Sequence, residues 1–333
     1  MSFLPIQTES QVSLNWHKVI EVGESLFISP LIGFGLAFGI MSISYIYFSK
    51  KQRIFEKPEK KEVPELWLRS LLIAASSWVS FAHGSNDGQK GVGLVMLILI
   101  SLIPGSFALN PETDREGMKS DISYIQNALT ETTESSDEIM RIETHIATLA
   151  KVLEDDTSSS NDIRTAILFL QKEFKNLETV SLVSQAQASD ISTLIESKDF
   201  QEHSQNLYDT IDYAPWWVIA MISVSLGIGT MFGWRRIVKT LGKKIGNHKM
   251  SYAESTTSAL ITAMTITFAS RVGLPVSTTH IFSSSIAGCM MTGKKPGLQQ
   301  DTIKHILMAW LLTLPITIIV SGLLFSGFWA IFL

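Results

Sequence analysis

Cysteine is almost absent from this chain of 333 residues, and charged side chains are scarce. Cys289 is the single cysteine, which excludes a disulfide framework. Charged residues make up 17% of the chain, against about 25% in a typical globular protein. The net charge of -4 excludes a uniformly basic nucleic-acid-binding protein, so we expect no nucleic acid partner. With 46% hydrophobic residues, this composition indicates a membrane protein that contains a polar segment.

Charge is missing altogether from three long runs, residues 26–49, 213–234 and 306–333. Each is as long as the roughly 20 apolar residues that a helix needs to cross a bilayer. Two further apolar regions, 68–108 and 254–293, are interrupted by polar motifs. Lysine and arginine in the short loops are typical of the cytoplasmic side. We therefore expect the loops with these basic residues to be cytoplasmic: Lys50, Lys51, Arg53, Lys57, Lys60, Lys61, Arg235, Arg236, Lys239, Lys243, Lys244, Lys249, Lys294, Lys295 and Lys304.

Together these segments predict an all-α, multi-pass membrane protein with the lipid bilayer around it. Residues 1–109 form a first membrane region, in which 68–108 is a broken transmembrane helix. Residues 110–212 are an extracytoplasmic insertion, with 21 acidic and 8 basic residues. Residues 213–333 form a second membrane region, in which 254–293 is a re-entrant helical hairpin.

The acidic segment has the pattern of a soluble antiparallel helical hairpin. Its two stripes of apolar residues alternate by three and four, and a polar turn at 155–162 with Asn161 or Asp162 as N-cap separates them. A passive insertion is the favoured interpretation, and a sensor or partner-binding domain is the alternative. If the insertion is passive, deleting 120–205 should cost little. The stripes are Ile139, Ile142, Ile146, Leu149 and Leu153, then Ile163, Ile167, Leu170, Phe174 and Leu177.

The first interruption holds Asp87 and Lys90 within an otherwise apolar region. Charged residues at membrane depth are costly and usually mark a functional site. Four glycines lie around the pair, at 84, 88, 91 and 93. We expect them to let the helix unwind there and bring its backbone to a ligand. The alternative is a membrane-interface loop in which Asp87 is an N-cap.

The second interruption is Pro275 followed by three hydroxyl residues, Ser277, Thr278 and Thr279. Proline interrupts a helix, and a helix that restarts after it has free N–H groups and the positive end of its dipole. Such an end binds anions. Broken helices whose ends meet near the membrane midplane are typical of secondary transporters. A hydroxyl-capped turn at a kink is the alternative.

The two motifs together resemble those of the PiT family of inorganic phosphate transporters, in its bacterial low-affinity form. Residues 81–91, Phe-Ala-His-Gly-Ser-Asn-Asp-Gly-Gln-Lys-Gly, are similar to the family signature, in which most members have Gly-Ala-Asn-Asp. Residues 275–280, Pro-Val-Ser-Thr-Thr-His, are similar to the motif at the tip of a helical hairpin. Lys90 departs from the pattern, which has a second asparagine there. The chain resembles only the C-terminal half of the family, with one copy of each motif.

The resemblance implies symport of inorganic phosphate, or of a metal–phosphate complex, across a bacterial cytoplasmic (inner) membrane. Coupling would be to H⁺ or Na⁺, with protons expected. Asn86, Asp87, Ser277, Thr278 and Thr279 would bind the substrate. Asp87, Lys90, His83 and His280 are candidates for ion or proton coupling, since histidine titrates near neutral pH. No cofactor and no resident metal are implied, and a second half-subunit or another copy is an expected partner.

Other functions remain as alternatives to transport. A non-transporting half-protein, or a membrane-anchored sensor or scaffold that acts through the acidic segment, is the second interpretation. An enzyme is not expected, because the sequence has no nucleophile–base pair, no metal-ligand spacing and no Gly-Lys-Ser/Thr phosphate loop.

Overall fold

The computed structural model describes residues 16–47, 54–55, 64–130, 137–155, 157–183, 190–232, 242, 244–292 and 297–332. Across these residues it is helical, with no strand beyond one isolated bridge between Gly246 and Leu298, which confirms the all-α prediction. The helices are α1 Trp16–Tyr47, α2 Leu66–Leu102, α3 Pro104–Phe107, α4 Arg115–Thr130, α5 Asp137–Glu154, α6 Ser160–Val183, α7 Asp190–Glu196, α8 Lys198–Asp209, α9 Trp216–Met231, α10 Tyr252–Arg271, α11 Thr278–Met290 and α12 Gln300–Phe332.

The predicted break in the first motif is wrong, because α2 continues through it without interruption. Its 37 residues contain the four glycines but no proline. A glycine lowers helix stability by about 1 kcal/mol, yet it keeps its N–H group and can remain in the hydrogen-bonded ladder. Proline has no N–H group to donate, and the chain leaves the helical conformation around Pro275, although α1 and α12 continue through Pro30 and Pro315. Asp87 is therefore inside a helix and is not an N-cap.

Two of the predicted spans are long and apolar enough to cross a membrane. They are Val22–Tyr47, with 26 residues, and Gln300–Phe328, with 29 residues. The run at 213–234 is represented by the shorter apolar helix α9, which has 16 residues. The orientation of these helices in a bilayer stays a prediction.

The chain divides into two compact units. One comprises the described residues of 1–87 and 225–333, and the other comprises those of 88–224. The divisions fall inside α2 and α9, so both helices contribute to both units. The assignment of 110–212 to the outside of a membrane stays a prediction.

Residues 88–224 contain a helical bundle with its own apolar core. All ten residues of the two predicted stripes are buried in it, so the α5–α6 pairing is confirmed. The bundle is larger than the predicted hairpin, because α4 and α8 pack against each other and α4 also packs on α5. The N-cap prediction was wrong by two or three residues. Ser159 Oγ accepts from the N–H of Asp162, and the Asp162 carboxylate accepts from the N–H of Ser159.

In the other unit α1 packs closely along α11. Every fourth residue of α1 is buried on this face, and these residues are small at Ser25, Ser29, Gly33 and Ala37. Ser285 Oγ donates to the Gly33 carbonyl at 3.3 Å. Small residues let two helix backbones approach closely, which is a common packing mode of membrane helices.

The helices α10 and α11 form an antiparallel hairpin. Ile266 near the end of α10 packs with Ile281 near the start of α11, whereas Ile261 packs with Cys289 farther from the connection. A capping box starts α10, because Ser251 Oγ accepts from the Glu254 N–H and the Glu254 carboxylate accepts from the Ser251 N–H.

Candidate functional site

The tip of the α10–α11 hairpin is a tight connection that the sequence specifies locally. Gly273 takes a positive φ of 73°, and Leu274 N–H donates to the Ala269 carbonyl at 2.9 Å, which is the Schellman pattern of a helix end. Pro275 follows. Ser277 then caps α11, because its Oγ accepts from the N–H of His280 at 3.4 Å. The predicted restart of a helix at the three hydroxyl residues is therefore present.

The start of α11 offers backbone donors to an anion. The N–H groups of Thr278 and Thr279 belong to the first turn, where no intrahelical carbonyl is available to them. The helix dipole adds positive potential at the same place. The hydroxyl of Ser277 differs from those of Thr278 and Thr279, because it already accepts a hydrogen bond as the N-cap of α11.

Asn86 brings the first motif to this tip. It is buried at 4% exposure, and its Nδ2 donates to the Val276 carbonyl at 3.4 Å. Ser270 Oγ donates to Asn86 Oδ1 at 3.5 Å from the end of α10. One turn earlier on α2, Ala82 packs with Val276 in the same small apolar cluster. The two motifs, which are about 190 residues apart in the sequence, therefore meet in the fold.

Asp87 lies beside Asn86 and carries the carboxylate of the site. The Asn86 Nδ2 donates to Asp87 Oδ1 at 3.1 Å. His83 Nδ1 lies 3.3 Å from Asp87 Oδ2, one turn along α2. Both side chains are about one third exposed, so they are accessible from one side of the helix. The imidazole and the carboxylate are therefore within ion-pair distance of each other.

The remaining two predicted residues lie elsewhere on the same helices. Lys90 is on an exposed face of α2. The His280 ring stacks on Trp310 of α12, with ring centroids 4.3 Å apart. It also lines a mainly apolar cavity of about 640 Å³ between α1, α11 and α12.

Two serines that the sequence interpretation did not single out hold the hairpin tip. Ser25 Oγ on α1 donates to the Pro275 carbonyl at 2.7 Å, and Ser270 contacts Asn86. Ser29, one turn after Ser25, is 4% exposed, and its Oγ has no hydrogen-bond partner among the described residues. The spacing of four between Ser25, Ser29 and Gly33 in an apolar run was the available signal.

Among the described residues no three His, Cys, Asp or Glu side chains are arranged to hold a metal ion.

Comparison with known proteins matches the phosphate transporter family over residues 5–321. The low-affinity inorganic phosphate transporter of Buchnera aphidicola subsp. Acyrthosiphon pisum is 36% identical over 94% of this chain and 69% of the relative. The low-affinity inorganic phosphate transporter PitA of Escherichia coli K12 is 33% identical, over 93% of this chain and 69% of the relative. PitB of the same strain is 34% identical over the same shares. No solved structure matches the chain.

Proposed function

The chain belongs to the phosphate transporter family, and from that premise we propose that it carries inorganic phosphate across the cytoplasmic membrane by secondary transport. The observation that supports this most strongly is the contact of Asn86 with Val276, which joins the Asn-Asp motif to the start of α11. A carboxylate, an amide and a helix N-terminus are thereby brought to one end of the hairpin. The family is one of transporters and not of enzymes.

In this proposal the anion is bound by backbone and hydroxyl donors. The N–H groups of Thr278 and Thr279, together with their hydroxyls, donate to phosphate oxygens. Asn86 holds the hairpin tip against α2 through its amide, and the same amide group is close enough to contact substrate. Asp87 accepts a hydrogen bond from a protonated phosphate or binds the coupling cation.

We also propose that transport is coupled to protons. The supporting geometry is the 3.3 Å approach of His83 Nδ1 to Asp87 Oδ2, since both groups can hold a proton beside the substrate. His280 is a second candidate in the apolar cavity. Sodium is the alternative coupling ion, and a neutral metal–phosphate complex is the alternative substrate, with its metal facing Asp87.

The re-entrant hairpin belongs to this proposal too. The 13 residues of α11 reach about 20 Å at 1.5 Å per residue, which is shorter than the roughly 30 Å bilayer core. Lysines occur in the sequence on both sides of the hairpin, at Lys249 and Lys294. By the positive-inside rule both ends are cytoplasmic, so the tip enters the membrane from that side and returns. A second subunit or copy would supply a second pair of motifs.

Uptake of labelled phosphate into proteoliposomes that contain the purified chain tests the proposal. Asp87→Asn keeps the size of the side chain and removes its charge, and we expect it to abolish uptake while the protein stays in the membrane. Asp199→Asn is the matched control, because Asp199 is exposed on α8 in the bundle. Equal uptake by the Asp87 variant and the unsubstituted chain refutes the assigned role of Asp87. No uptake by the unsubstituted chain, alone or with a second subunit, refutes the transport function.

A further inference from the structure

The chain enters and leaves the acidic bundle through two segments that contact each other at several points. On α2 and α9, a Cβ atom at Gly91 would lie 2.9 Å from Ile222 Cγ2, so the two helices approach closely there. The rings of Phe107 and Trp217 meet edge to face at 6.3 Å. Residue numbers rise along one segment as they fall along the other, which is an antiparallel pairing.

The pairing continues on the bundle side of these rings. The N–H of Asn110 donates to the Thr210 carbonyl at 2.8 Å. We call residues 107–110 and 210–217 the neck. The neck is the only covalent route between the bundle helices and the rest of the chain, since 110–212 is one continuous insertion between α2 and α9.

Arg164 of α6 holds both sides of the neck with one nitrogen. Its Nη1 donates to the Ala108 carbonyl at 3.1 Å and to the Ile211 carbonyl at 2.6 Å. Ala108 is 0% exposed and Ile211 is 2% exposed, so both acceptor carbonyls are shielded from water, while Arg164 itself is partly buried. Hydrogen bonds from a charged donor are stronger than neutral ones, and an arginine stays charged at neutral pH. Asp212 supplies a nearby opposite charge.

The fold of the bundle fixes the position of this guanidinium. Arg164 lies in the first turns of α6, next to Ile163, which is fully buried in the bundle core. The helix α3 packs on α6 at the same end. Arg164 can therefore join the two sides of the neck only when α6 is packed in the bundle.

We propose that Arg164 is a positioning residue for transport, which holds the ends of α2 and α9 together through the neck. The inference rests on the proposed function. It replaces the interpretation of 110–212 as a passive insertion, since α2 is a single helix that also carries Asn86 and Asp87. Deleting 120–205 removes Arg164 and should lower uptake instead of costing little.

The test replaces the guanidinium and then restores its effect by another bond. In the full chain, Arg164→Ala removes both charge-assisted hydrogen bonds to the neck and should lower the maximal rate of phosphate uptake by about tenfold or more. The KM for phosphate should stay unchanged, because the acceptors of Arg164 are carbonyls of the neck and not residues proposed to bind phosphate. Adding Asn110→Cys and Thr210→Cys offers a disulfide across the neck, where the Asn110 N–H donates to the Thr210 carbonyl at 2.8 Å, and a disulfide needs Cα atoms about 4.4 to 6.8 Å apart. Oxidation should restore the rate and reduction should lower it again. The single native thiol, Cys289, is buried and does not compete.

Ile146→Ala is the control for a general loss of stability. Ile146 is buried in the bundle core and belongs to α5, and its truncation should leave uptake unchanged below the melting temperature of the bundle. The inference is overturned if Arg164→Ala transports normally, if the disulfide restores nothing, or if Ile146→Ala is equally damaging. No uptake by the unsubstituted chain refutes the proposed function itself, and uptake that Arg164→Ala leaves unchanged refutes this inference alone.

Discussion

The close packing of α1 on α11 predicts a steric penalty at Gly288. A Cβ atom there would overlap the carbonyl oxygen of Phe34 and would lie 3.1 Å from the Phe34 carbonyl carbon and the Phe38 nitrogen. All three are backbone atoms, so no side-chain rotation can relieve the overlap. The helices would have to move apart by several tenths of an ångström.

The size of the effect follows from two opposing terms. Replacing glycine by alanine inside a helix gains about 1 kcal/mol from helix propensity. Overpacking a close contact costs about 1–3 kcal/mol. Gly288→Ala should therefore range from neutral to about 2 kcal/mol destabilising. Gly35→Ala on α1 is the matched control, because nothing lies within 4 Å of its added Cβ atom. Gly35→Ala should gain about 1 kcal/mol from helix propensity without a steric cost. The free energies of unfolding of the two variants should therefore differ by about 1–3 kcal/mol.

Thermal unfolding of the two variants in the same detergent measures this difference. We expect Gly288→Ala to melt at least about 2 °C below Gly35→Ala, since 1 kcal/mol corresponds to a few degrees or less in a chain of this size. Gly288→Ala should also lower phosphate uptake, because α11 carries Thr278 and Thr279. Equal melting temperatures for the two variants would contradict the close approach of α1 and α11.

Two further predictions concern the bundle. The Thr157 hydroxyl and N–H donate to the Asp155 carboxylate and hold the pKa of Asp155 below its ordinary value. A lowered pKa stabilises the α5–α6 turn above the ordinary pKa, and this contribution is lost as pH falls through the lowered one. Thr157→Val should raise the pKa of Asp155 toward its ordinary value in a ¹³C NMR titration, and an unchanged pKa would contradict this. Asp121→Ala removes the partner of His203, whose Nδ1 lies 2.6 Å from Asp121 Oδ1, and should destabilise the bundle by about 1–3 kcal/mol in denaturation followed by circular dichroism. An unchanged denaturation midpoint would show that the Asp121–His203 pair adds nothing to the stability of the bundle.

The hairpin tip could be predicted from the sequence because its determinants are local. Gly273 and Pro275 end one helix and Ser277 starts the next within five residues. The meeting of Asn86 with Val276 followed only from the resemblance, since no local rule joins residues 190 apart. The stripes of the bundle were predictable for the same local reason, and every one of their positions is buried.

Arg164 shows where reasoning from the sequence ends. Its two acceptors are backbone carbonyls at positions 108 and 211, and every residue has a carbonyl, so no side-chain pattern marks them. The 21 acidic and 8 basic residues of 110–212 gave the segment the appearance of a solvated insertion.

Proline alone does not set the difference between the two motifs, because α1 and α12 continue through Pro30 and Pro315. At the hairpin tip the left-handed Gly273, Pro275 and the Ser277 cap act together to end one helix and start the next, whereas the first motif has glycines without a proline or a cap. The continuous α2 therefore presents Asn86 and Asp87 at fixed helical angles, with Asn86 turned to the hairpin and buried while Asp87 stays partly exposed. The hairpin supplies the free backbone donors and α2 supplies the amide and the carboxylate. In the proposed site, anion binding and ion coupling are thus divided between two elements that meet at Asn86, whose amide donates to the Val276 carbonyl and accepts from Ser270.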